Sequence, residues 1–297
     1  MFFSKKLIND YNLENPYDLV RNYKWTLDKV SEMGAKVIKD LDGNGKMNDQ
    51  DQYALMSWSG VGYPFLFLGT GVNYMTLDEN KKPVITADSD RFISAYEKII
   101  SMTHSEGDNF FYDANIRQNT RGFDNNHRVQ EPMFREDKAL FWMEVVSWSK
   151  ALREMDTDFG IVTAPMYDEN QKKYYNYCNC NFYAIVVPTT ADLERTGAIV
   201  EAMNSESKKT VTPAYYDVML KSKYSRDEDS GEMLDIIFNN LVYDIGSIYS
   251  LGSINSGIYD LAAKNSTDLA SYLAKQSKAL NKQIDKMMEK LAALDEG

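Results

Sequence analysis

Apolar and polar positions along the chain alternate in two rhythms. Val30, Met33 and Val37 follow Trp25 at helical spacing, which predicts an amphipathic helix over 25–39 with Thr26 as its cap. Phe92, Tyr96, Ile99 and Met102 share one side of a predicted helix over 88–104. The apolar stretch 61–75 contains Gly69 and Gly71, as a helix running out into a loop would. Short apolar runs predict strands at 1–3, 53–57, 139–143 and 159–165, the last closed by Pro165. Phe182 to Pro188 is near-continuously apolar, the pattern of a strand buried on both faces. The rest of the first twenty residues reads as a turn-rich polar stretch ending in Asn15-Pro16. Residues 105–128 read as a long surface loop, and 167–177 as a Tyr-rich connector. Helices are predicted at 147–154, 191–204, 213–222 and 230–242. A long polar helix follows from about 267 to 294, capped by Thr267 or Asp268. Strands alternating with helices and followed by a helical tail indicate an α/β protein.

Composition narrows the partners. The net charge of −11 repels phosphate backbones and anionic lipid, so nucleic acid and bare membrane are poor candidates. The 20 Tyr, 13 Phe and 4 Trp offer apolar faces with polar edges, which suit sugars, although a core absorbs most rings in any protein. Cys178 and Cys180 point to opposite sides of an extended segment, so a bridge between them is not expected. With two His in the chain, they also make a poor zinc or iron site. No apolar run reaches the roughly 18–20 residues of a membrane span. Met1-Phe2-Phe3 leads straight into Ser4-Lys5-Lys6, without the layout of a signal peptide.

One local motif carries metal chemistry. Residues 40–51, DLDGNGKMNDQD, fit a calcium loop of the EF-hand type. Asp40, Asp42 and Asn44 would supply side-chain oxygens, Lys46 its carbonyl, and Asp51 the closing carboxylate where Glu is usual. Gly45 permits the bend, and Met47 would anchor the loop inward. The alternative is an Asn/Gly-rich turn without metal. The residues after the loop read as a strand, so a paired EF-hand is not expected. No nucleophile elbow, P-loop, dinucleotide fingerprint or zinc-protease motif occurs. His104 and His127 lie in polar segments and read as solvent-exposed.

Three strand ends combine rings with polar groups. They are Ser57 to Tyr63, Trp142 to Trp148, and Tyr175 to Asn181. In open α/β sheets ligands sit beyond the carboxyl ends of strands. Trp58, Trp148 and Tyr177 are the candidate stacking faces, and Glu144 and Asn176 the hydroxyl partners. Ser59 and Tyr63 complete the first segment. Core packing is the competing account of each residue taken singly.

Five segments in order resemble the bacterial extracellular solute-binding proteins of carbohydrate ABC importers, the maltose-binding-protein-like family 1. They are Phe2 to Ile8, the stretch from Asn15-Pro16 through Lys24 to Asp28, Phe134 to Phe141, Asp158 to Pro165, and Phe182 to Pro188. The family's glycine is replaced by Asp137 in the third, and its preceding glycines are absent from the fifth. The resemblance implies a periplasmic-binding-protein type II-like α/β fold, here one full lobe, part of the second and a helical C-terminus. It divides the chain into lobe II over 1–170, a hinge strand with partial lobe I over 171–260, and a terminal helix over 261–297. It places the start of the chain after the family's first interlobe crossing, with the signal peptide and most of the first lobe missing. It implies a carbohydrate-binding, non-enzymatic importer component that acts as a monomer with membrane ABC permease subunits. Its home would be extracytoplasmic, as a cell-surface lipoprotein or in the periplasm. It puts sugar contacts around Trp58 and Glu144 to Trp148, with Tyr177 near the second crossing. A calcium loop occurs in some members. A carbohydrate hydrolase and a non-transport interaction protein using the terminal helix are the other readings.

Overall fold

The computed structural model describes residues 1–117, 120–122, 126–178 and 185–295. Five strands form the central sheet in the order β5-β2-β6-β1-β7. They are β1 (Phe2–Ser4), β2 (Tyr53–Ser57), β5 (Phe111–Asp113), β6 (Ala139–Trp142) and β7 (Phe159–Ile161). Strand β2 runs parallel to both β5 and β6, whereas β1 runs antiparallel to β6 and β7. Two small sheets pair β3 (Met75–Leu77) with β4 (Pro83–Ile85) and β8 (Asn176–Tyr177) with β9 (Leu241–Val242).

Every residue of β1, β2, β5, β6 and β7 is buried, which explains why β2 and β6 read as unbroken apolar runs. Successive side chains alternate faces. Phe2 packs on Trp142 and Phe159, with ring centroids 5.6 and 5.9 Å away. Phe3 points to the opposite layer and meets Tyr17 edge-on at 5.2 Å. That layer also holds Trp25, Leu55, Phe67, Phe92 and Phe141. The packing leaves Gly160 no room for a side chain, since a Cβ there would lie 2.3 Å from the Phe3 ring and the Tyr17 hydroxyl.

Helices α3 (Leu27–Ala35), α4 (Ser59–Gly69) and α5 (Asp90–Thr103) match the periodic segments. Thr26 caps α3 as expected, accepting from the Lys29 amide at 3.3 Å. The polar stretch 4–20, read as turns, instead folds into α1 (Lys5–Asp10) and α2 (Pro16–Arg21). Capping chemistry starts both. Ser4 Oγ accepts from the Leu7 amide at 3.0 Å, and Asn15 Oδ1 from the Tyr17 amide at 3.0 Å, with Pro16 opening the first turn. These helices are too short to show a period.

Other expectations change. The stretch 105–128 contains β5, a three-residue strand hidden between polar flanks. The 147–154 helix is a 3-10 helix over Val146–Glu154, and 213–222 lies in a π-helix over Ala214–Tyr224. The helix Ile254–Ala263 was not anticipated and packs against α4. Of the run 182–188, residues 182–184 lie outside the described residues. Ile185, Val186 and Val187 are exposed and in no strand, because no described strand offers them a ladder. Cys180 also lies outside the described residues. The long terminal helix spans Leu269–Asp295.

Candidate functional site

Strands β2, β5 and β6 are parallel, so Ser57, Asp113 and Trp142 finish on one edge of the sheet. Strand β1 starts and β7 ends on the same edge, at Phe2 and Ile161. A cavity of about 210 Å³ opens there. Its polar lining comes from Glu144, Asn176, Tyr177 and Cys178. Its apolar walls come from Val61 and Phe65 of α4, from Val145 and Val146, and from Ile237 and Phe238 near the end of the Glu228–Asn239 helix.

Glu144 follows β6 directly. Its Oε1 accepts from the Val145 amide at 2.9 Å, and the Trp58 side chain donates to the same carboxylate. Burial nonetheless outweighs these bonds and pushes the Glu144 carboxyl above the ordinary glutamate range. Asn176 is buried on β8. Its Oδ1 accepts from Thr163 Oγ1 at 2.9 Å and from the Ala164 amide at 3.1 Å. A backbone N–H can only donate, so this contact fixes which end of the amide is oxygen. Its Nδ2 is buried with no hydrogen-bond partner among the described residues.

Glu144, Asn176 and Tyr177, drawn from two separate segments, therefore share one cavity, and Trp58 from a third joins it through Glu144. The other expected residues sit elsewhere. Trp148 packs on Trp142, with centroids 5.6 Å apart, and Trp58 leans on the same cluster. Ser59 is buried at the start of α4. Trp58, the residue before that helix, has no capping side chain to offer, and Asp113 takes over the task. Asp113 Oδ1 accepts from the Ser59 amide at 3.1 Å and from the Asn115 amide at 2.9 Å. Burial pushes the Asp113 carboxyl up. Tyr63 is a core residue between Phe67 and Phe111, and its hydroxyl approaches Thr103, His104 and the Ala262 carbonyl on a different cavity. His104 is not solvent-exposed as read from sequence. It is half-buried, its Nε2 2.8 Å from the Ala262 carbonyl and its Nδ1 2.9 Å from Asp108. The side chain of His127 lies outside the described ones.

Sequence reasoning missed Asp113 and the walls from α4 and the Glu228–Asn239 helix. Asp113 was hidden with β5. The other walls stand on helices whose apolar positions signal burial, without saying whether protein or ligand covers them.

The loop 40–51 is ordered by its own side chains. Gly43 and Gly45 take positive φ, +70° and +77°, the left-handed region glycine enters freely. Asp40 accepts from both their amides at 2.7 Å. Asn44 Oδ1 accepts from the Lys46 amide at 2.8 Å. Asp51 is fully buried, accepting from the Leu41 amide at 2.9 Å and the Asn48 amide at 2.8 Å. Oxygens of Asp40, Asp42 and Asp51 all lie within 4.8 Å of one another. Two oxygens on one calcium ion are at most about 5 Å apart, so the set fits that ion's reach. Like charges this close repel unless a cation offsets them.

No protein-family model and no curated protein sequence matches the chain. Solved structures do. A maltose/maltodextrin-binding domain, MalE of Bdellovibrio bacteriovorus bound to maltotriose, aligns over 97% of this chain and 70% of its own, at 13% identity and a TM-score of 0.57. UgpB of Mycobacterium tuberculosis, in complex with glycerophosphocholine, aligns over 97% and 69% at 12% identity and 0.59. A cyclic α-maltosyl-1,6-maltose binding protein of Arthrobacter globiformis aligns over 96% and 69% at 13% identity and 0.59. At such identity the likeness establishes the fold, which is that of the periplasmic-binding-protein type II structures, with a helical C-terminus.

Proposed function

We propose that the chain is the ligand-binding part of a carbohydrate importer and holds its solute without transforming it. The observation that carries this reading is the meeting of Glu144, Asn176 and Tyr177 in one cavity beyond the carboxyl ends of the sheet strands. Such edges are where open α/β sheets take ligands. One structure of the same fold is bound to maltotriose and another is a cyclic α-maltosyl-1,6-maltose binding protein, which supports a glycan as the solute. Hydrolysing a glycosidic bond takes two facing carboxylates in most glycosidases. The described lining of this cavity offers one, Glu144.

In this reading residues 1–170 form one lobe, the segment through residue 260 carries the hinge and part of the other, and 261–297 braces them. The protein works outside the cytoplasm as a monomer that delivers solute to ABC permease subunits. Leu193, Ile199 and Met203 stand exposed on one helix, as the face of a lobe awaiting its remainder would. The loop 40–51 binds calcium through Asp40, Asp42, Asn44, the Lys46 carbonyl and Asp51, and its role is structural.

Isothermal titration against a panel of mono- and oligosaccharides tests the reading. The expected result is saturable heat at one stoichiometric site, with every sugar recovered intact. Release of shorter sugars on overnight incubation would overturn it in favour of a hydrolase.

A further inference from the structure

The lining of the cavity is mostly apolar, which a bare sugar covered in hydroxyls does not explain. Val61, Phe65, Val146 and Ile237 surround two hydrogen-bonding groups of opposite character. Asn176, 3% exposed, keeps its Oδ1 on Thr163 and Ala164, leaving Nδ2 as a buried donor with no partner among the described residues. Leaving such a donor unpaired is costly unless something accepts from it. Glu144 carries roughly four acceptor positions. The Val145 amide and the Trp58 side chain occupy two of them. The site therefore asks for a ligand group with an acceptor, a donor and an apolar end close together.

We propose that the cavity takes the acetamido group of an N-acetylated sugar. The acetyl carbonyl accepts from Asn176 Nδ2, the amide N–H donates to the Glu144 carboxylate, and the methyl lies on the Val61 and Phe65 wall. The pyranose ring stacks on Tyr177. The volume of about 210 Å³ is below the roughly 300–1,000 Å³ of sites for drug-sized ligands, which suits one sugar unit. The assignment rests on the carbohydrate reading above and adds the class of sugar to it.

The test is saturation-transfer NMR and titration of the whole chain with N-acetyl-D-glucosamine, N-acetyl-D-galactosamine, D-glucosamine and D-glucose. The expected result is at least tenfold tighter binding of one N-acetylated sugar than of the two unacetylated ones, with the acetyl methyl the most strongly saturated group. Asn176→Asp keeps the inward oxygen and removes the donor, and Glu144→Gln removes the carboxylate. Each should erase the tenfold preference while the urea midpoint shows a folded protein. The ligand comparison needs no variant, so it decides the matter even if Asn176→Asp fails to fold. Glucose binding as tightly as the N-acetylated sugars overturns the acetamido assignment and leaves the carbohydrate reading standing. No binding by any of these sugars or by the wider panel overturns both.

Discussion

Helix α5 and the helix Leu193–Lys209 are both amphipathic, yet they end in opposite situations. The first buries Phe92, Tyr96, Ile99, Ile100 and Met102 against the sheet. The second buries nothing, and Leu193, Ile199 and Met203 are more than half exposed. Both are well capped, by Ser89 and Asp192. What separates them is the surface beside them. Helix α5 lies near Phe67 and Tyr74, whereas no described element covers the apolar side of the other. Periodicity therefore tells which side of a helix avoids water, and only the neighbourhood tells whether it succeeds.

The largest effect that sharpens this contrast is expected inside the sheet region. Trp142→Ala removes a fully buried ring from beneath Phe2 and Phe134 and should cost about 3–5 kcal/mol in urea unfolding. A cost under about 1 kcal/mol would mean the sheet is no better packed than the bare helix.

Calcium at a hundred times its dissociation constant should add about 2.7 kcal/mol of stability. This is read as a rise in Tm that EDTA reverses and Asp51→Asn abolishes. An unchanged Tm in millimolar calcium would leave the loop as a metal-free turn.

Gly160→Ala forces a methyl group against the Phe3 ring and should cost about 1–3 kcal/mol. A neutral result would show that β1 and β7 can part without penalty.

A smaller effect concerns pH. The Arg121 guanidinium, with Lys138 beside it, holds the Glu136 carboxyl down to about 2 from an ordinary 4.5. A depressed carboxyl adds stability above its unfolded value and loses it as pH falls toward the folded one. The Glu136 contribution should thus be whole above about pH 4.5 and fade between there and about pH 2. Glu136→Gln should lower the urea midpoint at every pH above about 4.5, with the gap to the parent protein closing as pH falls toward about 2.

The least is expected from Ile199→Ser, within about 0.5 kcal/mol, because the side chain is already in water. A loss above 1 kcal/mol would show that something covers this face in solution and would erase the contrast.

Where the chain repeats a period over ten or more residues, the sequence was a sound guide. The segments of α3 and α5 show this, and the unbroken apolar runs of α4, β2 and β6 also stand where their patterns put them. It failed where local chemistry replaces periodicity. The helices at Lys5 and Pro16 begin on the oxygens of Ser4 and Asn15, and β5 has three residues. Of the candidate residues, Glu144, Asn176 and Tyr177 come to line one cavity because each follows or forms a strand near the same edge. Tyr63 misled because its side chain points under α4 toward Thr103, which depends on helix phase and not on distance along the chain. Asp113 was out of reach until β5 was seen.

The position of β1 has a consequence for how the molecule comes into being. Phe2 and Phe3 lie next to residues of β6 and β7, and Met1 meets Val162 at 161 positions' remove. At roughly 5–20 residues per second, a ribosome needs on the order of 10–30 s to make that span. For most of that interval β1 has no strand to pair with and Phe2 lacks the Trp142 and Phe159 rings it packs on, so a nascent chain of this kind is a natural client for a holding chaperone until the sixth and seventh strands emerge.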